Sequence, residues 1–459
     1  MSISIKKSKV VVIGAGLAGS ECAWFLANQG VEVVLIEKKR LKLNPAQKTQ
    51  LFAELVCTNS LKSTELTSAH GLLKKEMLAL NSLVLSAADQ AKVPAGDALA
   101  VDREVFSGII TQKLIDHPLI TLIDEEAEDP RTYLERFAAE AVVVATGPLT
   151  GEKLEQWMSQ ELGEGNCYFY DAIAPVVDAD SLNYEKLYFK NRHEEPAESA
   201  DYLNAPMTKE QYYHFIEELN LAEKVKPKNF ESEKFFESCL PIDVMAERGI
   251  DTPRFSCMKP IGLSMGDHRP YAVVQLRKEN LLGAAFNLVG FQTRLTYPEQ
   301  KRVFRLIPGF EQAEFIHLGS VHRNTYLNSA KILNFDLSCI KFPNIYLAGQ
   351  IIGVEGYTES AAMGQYVALQ IARKLKNLAI KPFPVSLCLG ALINYIQTWE
   401  RPSPSNINFG LLPTVTLEKG KKYPDKKRAR KEIAIQNALR EHELFLLPYL
   451  KETQDKELN

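Results

Sequence analysis

Residues 10–39 read VVVIGAGLAGSECAWFLANQGVEVVLIEKK. An apolar run, Val10–Ile13, leads into Gly14-x-Gly16-x-x-Gly19, and a helical stretch is followed by a second apolar run that ends at Glu37. This order predicts a βαβ unit with a dinucleotide lying on its first turn. Gly14 permits the tight turn, Gly16 lets a pyrophosphate approach the main chain, and Gly19 lets helix and strand pack closely; Ala15, Leu17 and Ala18 complete the loop. Unpaired N–H groups and the partial positive charge at the helix start favour phosphate there. Glu37 stands where a strand-end carboxylate accepts hydrogen bonds from ribose hydroxyls.

Working outward, 459 residues exceed one ordinary domain, so two or three lobes are expected. The hydrophobic fraction of 46% and mean hydropathy of −0.16 belong to a globular protein. No window approaches the uninterrupted apolar length of a membrane span, and the first strand follows the N-terminus too closely for a cleavable leader. A cytoplasmic protein with no membrane contact is therefore expected. Net charge is −3, so RNA binding requires a local basic patch; the run from Lys419 to Lys431 is the candidate. The seven cysteines include no C-x-x-C pair and no zinc spacing, which predicts neither a disulfide framework nor a metal site. Cys22 falls inside the first helix and reads as core.

A buried strand at Ala141–Ala145 stops at Thr146-Gly147-Pro148, which marks Gly147 as a turn beneath the nucleotide. Residues 151–300 are richer in aromatic and charged residues and read as an inserted lobe, with a hairpin turning around Lys278–Asn280. The chain then returns to an apolar strand and a second glycine turn, NIYLAGQIIGVEGYTESAAMGQ (344–365). Gly349, Gln350, Gly353 and Glu355 are expected on the isoalloxazine side of a flavin. Two such strand-to-glycine turns favour FAD as the resident ligand. The expected fold is α/β: a Rossmann-like FAD-binding domain in two segments, 1–150 and 301–459, with an α+β domain inserted at 151–300.

The stretches GAGLAGSE (14–21), FAELVCTNSL (52–61), VPAGDALAVDRE (93–104), ATGPLT (145–150), YLNAPMT (202–208), PYAVVQLR (270–277), HRNTYLNS (322–329), LAGQIIGVEGYTESAA (347–362) and NFGLLP (408–413) run in order through the chain. Together they resemble the folate- and FAD-dependent tRNA (uracil-5-)-methyltransferases called TrmFO. The chain departs from that pattern at Gln47, at Thr58 and across 403–406. The resemblance implies a FAD domain of the GidA/glutathione-reductase type. It implies methylenetetrahydrofolate as carbon donor, NAD(P)H as reductant, and uridine 54 in the T arm of tRNA as the site made into 5-methyluridine. The same chemistry on a 23S rRNA uridine, and a non-catalytic flavin- and RNA-binding protein, are the alternatives.

Uracil C5 is a weak nucleophile. A thiolate adding to C6 creates an enolate that can attack an electrophilic methylene, after which a base removes the C5 proton and the thiol leaves. Two cysteines lie in matched stretches: Cys57 in ELVCTNS and Cys239 in FFESCLPID. The resemblance implicates both in catalysis, with Cys239 attacking C6 and Cys57 as base or second thiol near the flavin. Arg323 and Asn324, in a dense polar cluster, are candidate folate or RNA contacts, and Tyr357 is a candidate stacking ring. Tyr202, Tyr212 and Tyr213 are candidate RNA contacts, weighed against core packing.

Overall fold

The computed structural model describes residues 8–44, 46–162, 167–172, 174–192, 201–225, 240–264, 269–279, 283–319, 321–398, 404–418 and 423–458; the side chains of 167–172 and 321–325 lie outside this set. A five-stranded parallel sheet forms the first lobe, in the order Ile345–Leu347, Ala141–Val144, Lys9–Ile13, Glu32–Glu37, Ile120–Asp124. Val10–Ile13 are buried throughout, as a parallel strand covered on both faces requires. The helix Leu17–Asn28 crosses the long helix Tyr357–Leu375 so closely that a Cβ on Gly364 would lie 2.0 Å from the Ala18 carbonyl oxygen. The core of this lobe reaches from Val10 to Leu450. Arg373, 1% exposed, ties the final helix down through the Tyr449 carbonyl (2.9 Å) and the Thr453 hydroxyl (2.9 Å).

The second lobe is a six-stranded antiparallel sheet in the order Tyr188–Phe189, Tyr202–Met207, Ala272–Lys278, Ala285–Leu288, Val176–Asp178, Phe315–His317. Ala272–Lys278 and Ala285–Leu288 form the expected hairpin. Side chains alternate across this sheet. Leu203, Ala205, Val274, Leu276, Phe286 and Leu288 fill a separate core with the helix Lys209–Leu221, which starts at a Thr208/Gln211 capping box. Asn204, Gln275, Arg277 and Asn287 therefore occupy the opposite face.

The lobe boundaries differ from the expected 151–300. Helix Glu152–Glu161 buries Leu154, Trp157 and Met158 in the first core, while Val303, Phe304, Ile307 and Phe310 complete the second, which spans Val177–Phe315. Charge and aromatic content could not reveal which core each amphipathic stretch would fill. The chain leaves and re-enters the first lobe along one antiparallel ribbon, Cys167–Ala172 with Val321–Tyr326. Tyr212 is a buried core residue, so it is not an RNA contact; its ring packs against Tyr213 and Tyr271.

Candidate active site

The parallel strands bring Ile13, Glu37 and Leu347 to one end of the sheet, and a cleft opens along it. Gly14, Gly16, Glu37, Gly147, Gly349 and Gln350 line this cleft, as do Leu17 and Ala18. Gly14 takes a φ of 98° and passes so near the neighbouring strand end that a Cβ would sit 2.6 Å from the Ala145 carbonyl oxygen. A Cβ on Gly19 would lie 1.7 Å from the Gly14 carbonyl oxygen, so this position is filled by the turn itself. Gly16 caps the first helix with no side-chain bond, leaving main-chain donors for an anion. Glu37 holds the loop from below: its carboxylate accepts from the Ala15 N–H (2.6 Å) and the Lys39 N–H (2.8 Å).

Four residues expected beside the cofactor do not line this cleft. Ala15 and Gly19 pack behind the cleft, and Gly353 caps a short 3-10 turn facing Tyr326 and Ile396. Glu355 is 7% exposed and accepts from the Gln350 amide at 2.7 Å. The fit to FAD rests on two helix starts that open on the cleft, Gly16 of one, an N-cap with no side-chain cap, and Tyr357 and Ser360 of the other, and on the strand-end carboxylate of Glu37 in its lining.

The cleft continues into a second pocket between the lobes. Val56, Pro148, Leu149, Gln350 and Tyr357 line both. The second pocket adds Cys57, Thr58, Arg277, Asn287, Gln292 and Glu355. Cys57 lies in an irregular segment just before the strand Ser60–Ser63, and this segment is held from every side. The Tyr357 hydroxyl accepts from the Cys57 N–H (2.6 Å) and the Thr58 N–H (3.1 Å). Arg103 donates to the Leu55 carbonyl (2.9 Å) and the Cys57 carbonyl (3.4 Å) and pairs with Glu279 at 2.9 Å. From the second lobe, Arg277 donates to the Asn59 side-chain oxygen (2.8 Å) and to the Thr58 hydroxyl. Asn59 in turn donates to the Lys278 carbonyl (2.9 Å).

Burial pushes the Tyr357 phenol well above its ordinary value, so it stays protonated. Burial opposes the charge on Arg103, but its neighbours, Glu279 foremost, together outweigh it and hold the guanidinium above its usual range. His317 is driven down to about 4 by burial and then by Lys48 and Arg103, which leaves it neutral near pH 7.

Cys239 lies outside the described residues. The chain resumes at Leu240, and the Ile242 N–H donates to the carbonyl of Gln292, a pocket residue, at 2.8 Å. The main chain of Arg323 and Asn324 pairs with Tyr170 and Phe169 in the ribbon; their side chains lie outside the described set. The sequence reading missed Arg103, Arg277, Glu279 and Asn287. One signal was present: in AVVQLRK, Gln275 and Arg277 interrupt an apolar strand at alternate positions, which gives it a polar face.

A family model described as "Glucose inhibited division protein A" matches residues 9–379. A protein of Aquifex aeolicus (strain VF5) named methylenetetrahydrofolate--tRNA-(uracil-5-)-methyltransferase TrmFO is 50% identical over 444 residues, covering 96% of this chain and 97% of the relative. A protein of the same name from Desulfitobacterium hafniense (strain Y51) is 49% identical over 435 residues, covering 93% and 97%. Among solved structures, Aquifex aeolicus GidA in its form I crystal aligns with a TM-score of 0.67 at 17% identity, over 97% of this chain and 78% of that one, and so shares the fold. Identity at this level over nearly the full length of both chains shows that the chain belongs to the TrmFO family of methylenetetrahydrofolate–tRNA-(uracil-5-)-methyltransferases.

Proposed function

We propose that this chain methylates C5 of uridine 54 in the T arm of tRNA, forming 5-methyluridine. Methylenetetrahydrofolate is the carbon donor, FAD the resident cofactor and NAD(P)H the reductant. The observation that carries this reading is the continuity of the two pockets: the dinucleotide cleft opens at Gln350 and Tyr357 directly onto Cys57.

Bound FAD supplies the electrons that reduce the transferred methylene to a methyl group. Gly14, Gly16 and Gly147 would hold the dinucleotide along the cleft, and Gly349 and Gln350 would lie with the part of it nearest the second pocket. The Cys239 thiolate adds to uracil C6, and the resulting enolate attacks the methylene from C5. Cys57 removes the C5 proton as the bond from the methylene to its donor nitrogen breaks, with the electron pair leaving on that nitrogen; the exocyclic methylene so formed takes up a hydride as the bond from C6 to sulfur breaks and releases the thiolate. Tyr357 and Arg103 fix the main chain on both sides of Cys57, so its side chain starts from one position. The RNA is recognised by shape and by an unstacked uridine. The helix Lys426–Glu441, whose first half is exposed and rich in Lys and Arg, supplies phosphate contacts. The enzyme acts in the cytoplasm.

The test offers the FAD-loaded protein methylenetetrahydrofolate and NADPH with unmodified tRNA or unmodified 23S rRNA, counting 5-methyluridine by mass spectrometry. Product on tRNA that vanishes in Cys239→Ala supports the proposal. Product on rRNA alone overturns the target, and no product on either overturns the methyltransferase reading.

A further inference from the structure

Asn287 sits between Phe286 and Leu288, both buried in the second core, so the pleat turns it to the opposite face and into the second pocket. It is 3% exposed, and its Nδ2 has no hydrogen-bond partner among the described residues. Its register partner across the hairpin is Arg277. The guanidinium of Arg277 is committed to Thr58 and Asn59, the two residues that follow Cys57. Asn287 is therefore the unspent donor on a strand whose distance from the Cys57 segment is set by its neighbour.

A buried amide donor left without an acceptor is destabilising, and native structures seldom retain one without a purpose. The primary amide presents a donor and an acceptor side by side, which complements a ring lactam, C=O next to N–H. Resting on the function proposed above, we infer that Asn287 is a specificity-determining residue that reads the lactam edge of the flat ring brought beside Cys57. Nδ2 donates to the ring carbonyl and Oδ1 accepts from the ring N–H. Uracil and the pterin of the folate both carry such an edge. A ring with an amino group in place of the carbonyl meets donor against donor and is rejected.

The full-length, FAD-loaded enzyme is compared with Asn287→Asp, which keeps the shape and removes the donor, and with Asn287→Ser, which removes the amide. FAD content and Tm serve as folding controls, while kcat and KM are measured separately for tRNA and for methylenetetrahydrofolate. The expected result is a loss of ~10–100-fold in kcat/KM for one of the two substrates in both variants, the factor lost with one buried hydrogen bond. A loss confined to tRNA identifies the ring as uracil, and one confined to folate identifies the pterin. Unchanged kinetics in both variants beside an active wild type overturn the inference and leave the proposed function standing. So does loss of FAD from both variants, which assigns Asn287 to the fold where Tm falls with it and to the lactam edge of the flavin where Tm holds. A wild type that methylates neither RNA removes the proposed function, and this inference falls with it.

Discussion

The two joined pockets are built by different means. The dinucleotide cleft is made from main chain: strand ends and helix starts, with glycines where side chains would collide. The second pocket is made from side chains of distant segments. Tyr357 reaches Cys57 across 300 positions of sequence, and Arg277 reaches Asn59 across 218. The first construction is intolerant of added atoms. The second is sensitive to lost hydrogen bonds, and the two should fail differently.

The largest effect is expected at the cleft. Gly19→Ala forces a methyl group onto the Gly14 carbonyl, and overpacking against main chain should destabilise the first lobe by more than about 3 kcal/mol. Thermal unfolding and FAD retention would both fall; normal values for each would break the account of the turn. Next comes the second pocket. Tyr357→Phe leaves the Cys57 and Thr58 amides without their acceptor, a cost of about 2–4 kcal/mol. Here kcat should drop while FAD stays bound, a split readable from turnover and the flavin absorbance. Loss of FAD in step with activity would erase the distinction between the pockets.

The stability of the first lobe should also depend on pH. Burial pushes the Glu76 carboxyl up to about 7 even though it accepts from the Cys388 and Leu389 amides. A carboxyl raised in the folded state contributes stability that is complete below its ordinary value of 4.5 and is lost as pH rises through about 7. Relative to Glu76→Gln, the wild type should therefore gain on the order of 2–3 kcal/mol between pH 8 and pH 4.5. Parallel Tm curves for the two proteins would refute this. Arg277→Met should cost less, about 1–2 kcal/mol, because the lost bonds to Asn59 and Thr58 are partly offset by no longer burying a charge. Its signature is a fall in kcat with FAD affinity intact. The smallest stability effect, within about 0.5 kcal/mol, is expected for Gln at Lys426, Lys427 and Lys431, exposed on a helix outside both pockets. These changes should still weaken tRNA binding and flatten its salt dependence. An unchanged salt slope would remove that helix from the RNA surface.

The nucleotide half can be read from the order of residues. Val10–Glu37 is contiguous, and each of its parts answers a local requirement: a buried parallel strand, a turn that crowds out side chains, a helix start, a strand-end acid. Local requirements leave local marks, so Gly14, Gly16, Glu37, Gly349 and Gln350 are legible in the order of residues alone. So is Cys57, through the resemblance of its surrounding stretch. The rest follows from packing between distant segments. It set Gly353 against Tyr326 and Ile396, outside the cleft lining, and placed Tyr212 in a core, because which face of a segment is buried depends on what packs against it. It assigned helix Glu152–Glu161 to one core and residues 303–313 to the other. It also brought Arg103, Arg277, Glu279 and Asn287 around Cys57. Polar side chains on alternate strand positions show only that a strand has a wet or reactive face; what that face meets is set by two sheets docking, a relation that no contiguous stretch of chain encodes.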